Sequence, residues 1–218
     1  MVKPLYVLGA GGHAGVLIDI LKSHSASITA TFSPSTDRTR DVFSDIENLD
    51  NDDVLLAQNC GDFDLVNGIG SLPGCFLRQT IYNKFTQRGF EFQQVISKHA
   101  IISPYAVLGN GVQVMAGAIV QAGAVIGDNS IINTGAIVEH DCIIGQHNHI
   151  APGATLSGNV HTGDCVHIGT GAAVIQNISI GSNSIVAAGA IITKSIEKEK
   201  IVFGARANIQ DKRTSNEL

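Results

Sequence analysis

"IINTGAIVEHDCIIGQHNHIAPGA", residues 131–154, is four six-residue units laid end to end. The second position of each unit is aliphatic, and the fifth is Gly135, Asp141, His147 or Gly153. Read outward from there, the chain divides from Ile101 to Ile196 into sixteen consecutive hexads with no insertion. The second position is Ile, Leu or Val in fifteen of them, with Thr162 the exception, and the fifth is Gly, Asn or Asp in twelve. Those three residue types best tolerate the positive φ of a tight corner. A period of six is too long for strand alternation and fits no helix. It matches a parallel β-helix in which each hexad forms one short side and one corner. Residues i and i+18 then stack about 4.8 Å apart, so sixteen hexads make roughly five coils and a prism about 25 Å long.

Residues 1–95 follow a different pattern. They read as βαβ: a strand at 5–10, a glycine turn, a helix from about Ala14 to Ser23 and a strand near Ile28 to Phe32. Further strands are expected around 54–57 and 64–67, then a helix through "CFLRQTIYNKFTQRG". The expected fold is therefore an N-terminal Rossmann-like βαβ domain over 1–95 and a β-helix domain over 96–218. "EFQQVISKHA" joins the two, "SPSTDRTRD" (33–41) is an exposed loop, and the C-terminal tail is frayed.

Composition narrows the function. Of 218 residues 44% are hydrophobic, which a disordered chain would not be. Nineteen acidic against fourteen basic residues, with the basic ones scattered, give a net charge of −5 and no footprint for nucleic acid. The four cysteines show no CxxC spacing, so reduced thiols and a cytoplasmic location are expected. The start of the chain lacks the basic region and cleavage site of a signal peptide. No apolar run reaches the roughly 18 residues of a membrane helix, and no span is expected.

"GAGGHAG", Gly9–Gly15, follows a strand and opens a helix, so its backbone suits an anionic group at the positive helix end. A dinucleotide site would want an acid about 20 residues on, whereas the second strand ends in Ser33 and Pro34. In the repeat, His140 and Asp141 hold the fourth and fifth positions of one hexad and stand at a corner. The residues alone leave two readings open there: a turn-forming Asp beside an exposed His, or a base with its orienting carboxylate. Glu139, in the third position, points to another side. The first positions form an outward aliphatic stripe from Ile101 to Ile143 that gives way to His149, Thr155, His161 and His167. Such a stripe needs covering, by a closed trimer or in part by the N-terminal domain. His149 and His167 stack one coil apart, but no two histidines stand five residues apart, and no metal is expected.

With "GAGGHAG", "NGIGS", "NTGAIVEHD", "HIAPGATLSGNV" and "IVAAGAIITKSI" in this order, the whole chain resembles bacterial sugar acyltransferases of the PglD and NeuD type. Within them it is most similar to the N-acetyltransferases that make UDP-N,N'-diacetylbacillosamine. The resemblance implies a left-handed β-helix, a homotrimer, acetyl-CoA as co-substrate and a nucleotide-linked amino sugar as acceptor. It makes His140 the general base, Asp141 its supporting acid and Asn133 a polar active-site position. By the same resemblance His149 lies near the thioester, and Gly158, Thr170 and Ala188 lie along the cofactor. Gly11, Gly12 and His13 match the nucleotide-sugar loop, with Gly68 and Gly70 in a second glycine turn. Two departures stand out. Ser33 and Pro34 replace an Asp pair that meets the uridine, and the closing "GxPA" reads Gly204, Ala205, Arg206, Ala207. Within enzymes the runners-up are sialic acid O-acetylation and N-acetylation of GDP-perosamine. A non-catalytic nucleotide-sugar-binding trimeric scaffold is the reading from another class.

Overall fold

The computed structural model describes residues 3–34 and 40–205. Most of the polar loop after the second strand, residues 206 and 207 of the closing turn, and the tail lie outside the described residues. Among the described residues, the first part of the chain forms a parallel sheet of β1 (Leu5–Leu8), β2 (Ala30–Phe32), β3 (Glu47–Leu49) and β4 (Asp64–Asn67), in the order β3-β2-β1-β4. Helix α1 (Gly12–Ser23) crosses from β1 to β2. Its buried Ala14, Leu17 and Ile18 pack with Leu5, Val7 and Val66 of the sheet. On the other face Leu8, Ala30, Phe32 and Leu65 pack with Phe85 and Tyr82 of α3 (Leu77–Thr86).

Two expectations for this region change. Residues 54–57 are not a strand. Asp53–Leu56 is a short helix, α2, started by Asn51, whose Oδ1 accepts the Asp53 N–H at 2.9 Å. That local bond competes with extended backbone, and only Leu55 of the apolar run is buried. The strand lies earlier, at Glu47–Leu49, where the sequence offers no alternation.

From Val95 onward the chain winds into a parallel β-helix. Among the described residues its strands stack in three faces of seven, six and five. The seven-stranded face runs from Val95–Ile96 through Ile131–Ile132 and His149–Ile150 to Ile201–Val202. The six-stranded face runs from Ile101–Ile102 through Ile137–Val138 to Ile191–Ile192, and the five-stranded face from Val107–Leu108 through Ile143–Ile144 to Ser179–Ile180. Partners are eighteen residues apart, as in Ile131↔His149 and Ile137↔Thr155. The coil thus begins six residues before the first hexad, within the segment expected to be a linker: Val95–Ile96 pairs with Gln113–Val114. At the far end the spacing tightens to sixteen, with Ile185↔Ile201 and Ile180↔Ile196.

Second-position side chains fill the interior, Val120, Val138, Ile150 and Ile168 among them with no exposed surface. Thr162 is buried too, and its hydroxyl accepts the Asn148 side-chain amide at 2.7 Å, so the odd hexad keeps its polar group paired. Every fifth-position residue from Gly111 to Gly189 has positive φ, including His147 (59°) and Cys165 (57°).

The N-terminal sheet packs on the seven-stranded face, which explains why Ile131, a first-position residue, is fully buried against Leu5, Val7 and α1. Its polar seam is continuous. His13 Nε2 meets Gln113 Oε1 at 2.7 Å, and Gln113 Nε2 donates to the Asn67 carbonyl at 2.7 Å. The buried Arg78 donates to the carbonyls of Asn67, Ile69 and Asn129 at 2.7 to 3.1 Å. Among the described residues no carboxylate pairs with it, and burial holds its pKa down to about 9. His149 Nδ1 meets the Ser71 carbonyl at 3.1 Å.

Two histidines in this seam are held neutral. Burial and then Arg78 bring His13 down to about 4, and burial followed by His167 brings His149 to about 3. A histidine whose folded pKa is depressed contributes stability above its unfolded value near 6.5. That contribution is lost as pH falls toward the folded value, because the unfolded chain takes up the proton first. The melting temperature should therefore fall by ~5 °C or more between pH 6.5 and 4.5. Thermal unfolding followed by circular dichroism checks this, and His13→Gln should flatten part of the slope.

Candidate active site

His140 and Asp141 stand at the corner between the six-stranded and five-stranded faces. Asp141 has φ 61°, the turn conformation its position demands. That same turn aims its carboxylate at its neighbour: His140 Nδ1 lies 2.8 Å from Asp141 Oδ2. Since a carboxylate only accepts, Nδ1 carries a proton, and in the neutral ring Nε2 is then the nitrogen with the free lone pair. The side chains are 63% and 67% exposed, so solvent or a substrate reaches both.

Glycines one coil away shape the pair. A Cβ on Gly158, eighteen residues beyond His140, would meet the imidazole Cε1 and Nε2 at 2.5 Å. A Cβ on Gly123, eighteen before Asp141, would meet Asp141 Oδ1 at 2.5 Å. The ring and the carboxylate thus lie along the prism over two positions that have no side chain. Gly158 is buried, and its N–H takes no part in the backbone bonding among the described residues.

The other candidates divide between places. Thr170 and Ala188 are exposed and stack one coil apart, but on the corner between the seven-stranded and six-stranded faces. Asn133 lies on that same edge, where its Nδ2 meets His149 Nε2 at 2.9 Å. His149 is 9% exposed, held between Asn133 and Ser71 and edge-on to His167 at 4.9 Å. Within one chain the structure does not gather His149, Thr170 or Ala188 at the His140 corner. They stand at the margin of the face that carries the N-terminal sheet.

The glycine loop lies on that sheet. Gly9 has φ 111°, and Gly11 caps α1 with no side-chain bond to the first helical amides, which are left for a ligand or solvent. A Cβ on Gly68 would collide with Val7 Cγ1 at 2.7 Å and Leu8 O at 2.9 Å, so this glycine lets β4 turn tightly against β1. Gly70 sits against His13, 3.3 Å from its Cβ by the same measure. Ser33 and Pro34 line a cleft of about 230 Å³ together with Gly9, Phe32, Asp50, Asp52 and Ile69.

Sequence reading missed Gln113, Arg78 and Asp50. Gln113 had a signal, as the polar break in an aliphatic first-position stripe. Asp50 follows a three-residue strand with no pattern to mark it, and Arg78 sits in a helix whose burial no period announces.

The bacterial transferase hexapeptide model, of six repeats, matches residues 123–158. Perosamine N-acetyltransferase from Caulobacter crescentus, solved in complex with CoA and GDP-perosamine, is 31% identical with a TM-score of 0.82, over 97% of this chain and 99% of that one. The acetyltransferase domain of PglB from Neisseria gonorrhoeae, in complex with acetyl coenzyme A, is 32% identical with a TM-score of 0.82, over 94% and 97%. WeeI from Acinetobacter baumannii shares the fold at 22% identity and a TM-score of 0.74, over 93% and 97%. No curated protein matches the chain. A repeat match centred on the His140 corner, together with whole-length similarity to sugar N-acetyltransferases, shows that the chain belongs to the hexapeptide-repeat acyltransferases of bacteria.

Proposed function

We propose that the protein transfers the acetyl group of acetyl-CoA to the 4-amino group of a nucleotide-linked 4-amino-4,6-dideoxy sugar, with His140 as general base. The observation that carries this reading is the His140–Asp141 pair, whose 2.8 Å bond at Nδ1 makes Nε2, above Gly158, the basic nitrogen of the neutral ring. The free amine attacks the thioester carbonyl while its proton passes to His140 Nε2. The tetrahedral oxyanion collapses, the carbon–sulfur bond breaks, and the proton on His140 passes to the departing CoA thiolate. Asp141 fixes the ring and stabilises its protonated form. The unengaged N–H of Gly158 is the candidate donor to the oxyanion.

The N-terminal sheet, as a Rossmann-like domain over residues 1–95, holds the nucleotide sugar in this reading. Gly11, Gly12 and His13 lie along the diphosphate, with Gly68 and Gly70 beside it and Ser33 and Pro34 on the nucleoside side. The β-helix over 96–218, of the left-handed kind, holds acetyl-CoA along Gly158, Thr170 and Ala188, with His149 near the thioester and Asn133 at the sugar.

These parts meet only if copies assemble. The N-terminal sheet packs on the seven-stranded face, and the His140 corner is the one that this face does not touch. A sugar bound by one copy is therefore presented to His140 of another. The five-stranded face keeps Val107, Val125 and Ile143 at 59%, 40% and 47% exposure, an aliphatic stripe for a neighbouring prism to cover. A homotrimer closes such contacts around one axis. No helix among the described residues is long and apolar enough to cross a membrane, and the proposed setting is the cytoplasm, where acetyl-CoA is made.

Two acceptors fit this reading, and the first, taken from the resemblance, is UDP-4-amino-4,6-dideoxy-N-acetylglucosamine, giving UDP-N,N'-diacetylbacillosamine for surface glycans or glycoproteins. GDP-perosamine is the second reading, favoured by the 31% identical Caulobacter enzyme and by the absence of an Asp pair at Ser33 and Pro34. Acetyl-CoA consumption measured against UDP- and GDP-linked amino sugars and free sialic acids tests the proposal. Turnover only with sialic acids, or with none of them, would refute it.

Two variants address the mechanism. His140→Ala should lower kcat at least about a hundredfold while leaving the oligomer and nucleotide binding intact, as sedimentation and titration calorimetry would show. Gly158→Ala, by forcing the imidazole off its platform, should lower kcat about tenfold or more with little change in the KM for the sugar. An unchanged kcat in either variant counts against the corner as the reacting centre.

A further inference from the structure

We propose that Asp50 reads the nucleobase of the nucleotide sugar and selects guanine over uracil, an inference that rests on the nucleotide-sugar reading above. The cleft beside the glycine loop opens at the carboxyl ends of all four strands. Leu8 and Gly9 end β1, Phe32 to Pro34 end β2, Asp50 follows β3 and Ile69 follows β4, with Leu77 and Ile81 of α3 completing the wall. Crevices at strand carboxyl ends are where open parallel sheets bind ligands.

Strand order sets the distances. The phosphates belong at the start of α1, directly after β1. An acid at the end of β2, one strand away, would meet the ribose, and here that position holds Ser33. Asp50 ends β3, one strand further and roughly 10 Å from β1 at about 4.8 Å per strand. At that reach a carboxylate meets the base rather than the sugar. Leu8, Phe32, Ile69, Leu77 and Ile81 supply apolar surface for the flat faces of a ring.

Of the two carboxylates in the cleft, one is already occupied: Asp52 Oδ1 pairs with Lys84 Nζ at 2.8 Å. Asp50 is exposed and, among the described residues, has no hydrogen-bond or ion-pair partner. A carboxylate can only accept. Guanine offers N1–H and N2–H side by side and fits both oxygens at once. Uracil offers a single N3–H between two carbonyl oxygens, so the second carboxylate oxygen faces a like partial charge.

Calorimetric titration of the full chain with GDP and with UDP tests this without any acetyl transfer. GDP should bind at least about tenfold more tightly. Asp50→Asn, whose amide pairs a donor with an acceptor and so complements uracil, should lose about tenfold for GDP and gain for UDP. Asp50→Ala should lose GDP affinity with no gain for UDP and an unchanged melting temperature. Equal binding of the two nucleotides by the unaltered chain, or an unchanged preference in Asp50→Asn, overturns the role of Asp50 while leaving the nucleotide-sugar reading standing. Binding of neither nucleotide overturns both.

Discussion

Closing each coil in eighteen residues is the constraint on which the rest of the molecule depends. Three corners per coil require backbone with φ near +60°, a conformation that costs an ordinary side chain on the order of 1 kcal/mol or more. From Gly111 to Gly189 every fifth position takes it, and His147 and Cys165 do so without the help of a permissive residue type. The cost is offset by what the corners permit: an unbroken parallel ladder and an interior column of Val, Ile and Leu with almost no exposed surface. Because the coils are in strict register, a residue can be addressed by its column as much as by its number. His140 lies over Gly158 and Asp141 over Gly123 for that reason.

The repeat was legible because its period is its physics. Second positions point inward, fifth positions turn, and the eighteen-residue pairing follows from three hexads per coil. The start of the coil at Val95 was not legible, since a single strand before the first full hexad carries no period. The N-terminal sheet was harder for the same reason. Strands of three or four residues, such as Glu47–Leu49, are too short to show alternation, and "DVLL" at 53–56 has the apolar content of a strand but the Asx start of a helix. At the site, the corner placement of His140 and Asp141 was readable from register. The platform under the ring was readable in principle, since 140 and 158 share a column. The place of Asp50 in the cleft was not, because it depends on strand order.

Packing the N-terminal sheet on one face of the prism has consequences for chemistry as well as stability. It converts first-position residues that would be surface elsewhere, Gln113, Ile131 and His149, into interior ones. It also commits His149 to the Ser71 carbonyl and Asn133 in a neutral form, whereas His140, on the far corner, stays open to solvent. Two histidines of one repeat thereby take opposite parts. One is a rigid joint between the two halves of the chain, and the other, paired with Asp141, stays accessible on the far corner.

The two residues missing from the last coil matter in a different way. A parallel β-helix ends in open strand edges, and flush edges of identical molecules can dock axially and grow into fibres. Where Ile180 pairs with Ile196 and Ile185 with Ile201, sixteen apart instead of eighteen, the last coil is two residues shorter in its turn while its strands stay paired in register. The last coil thus differs in its turn from the coils beneath it, and the two ends of the prism do not present the same spacing.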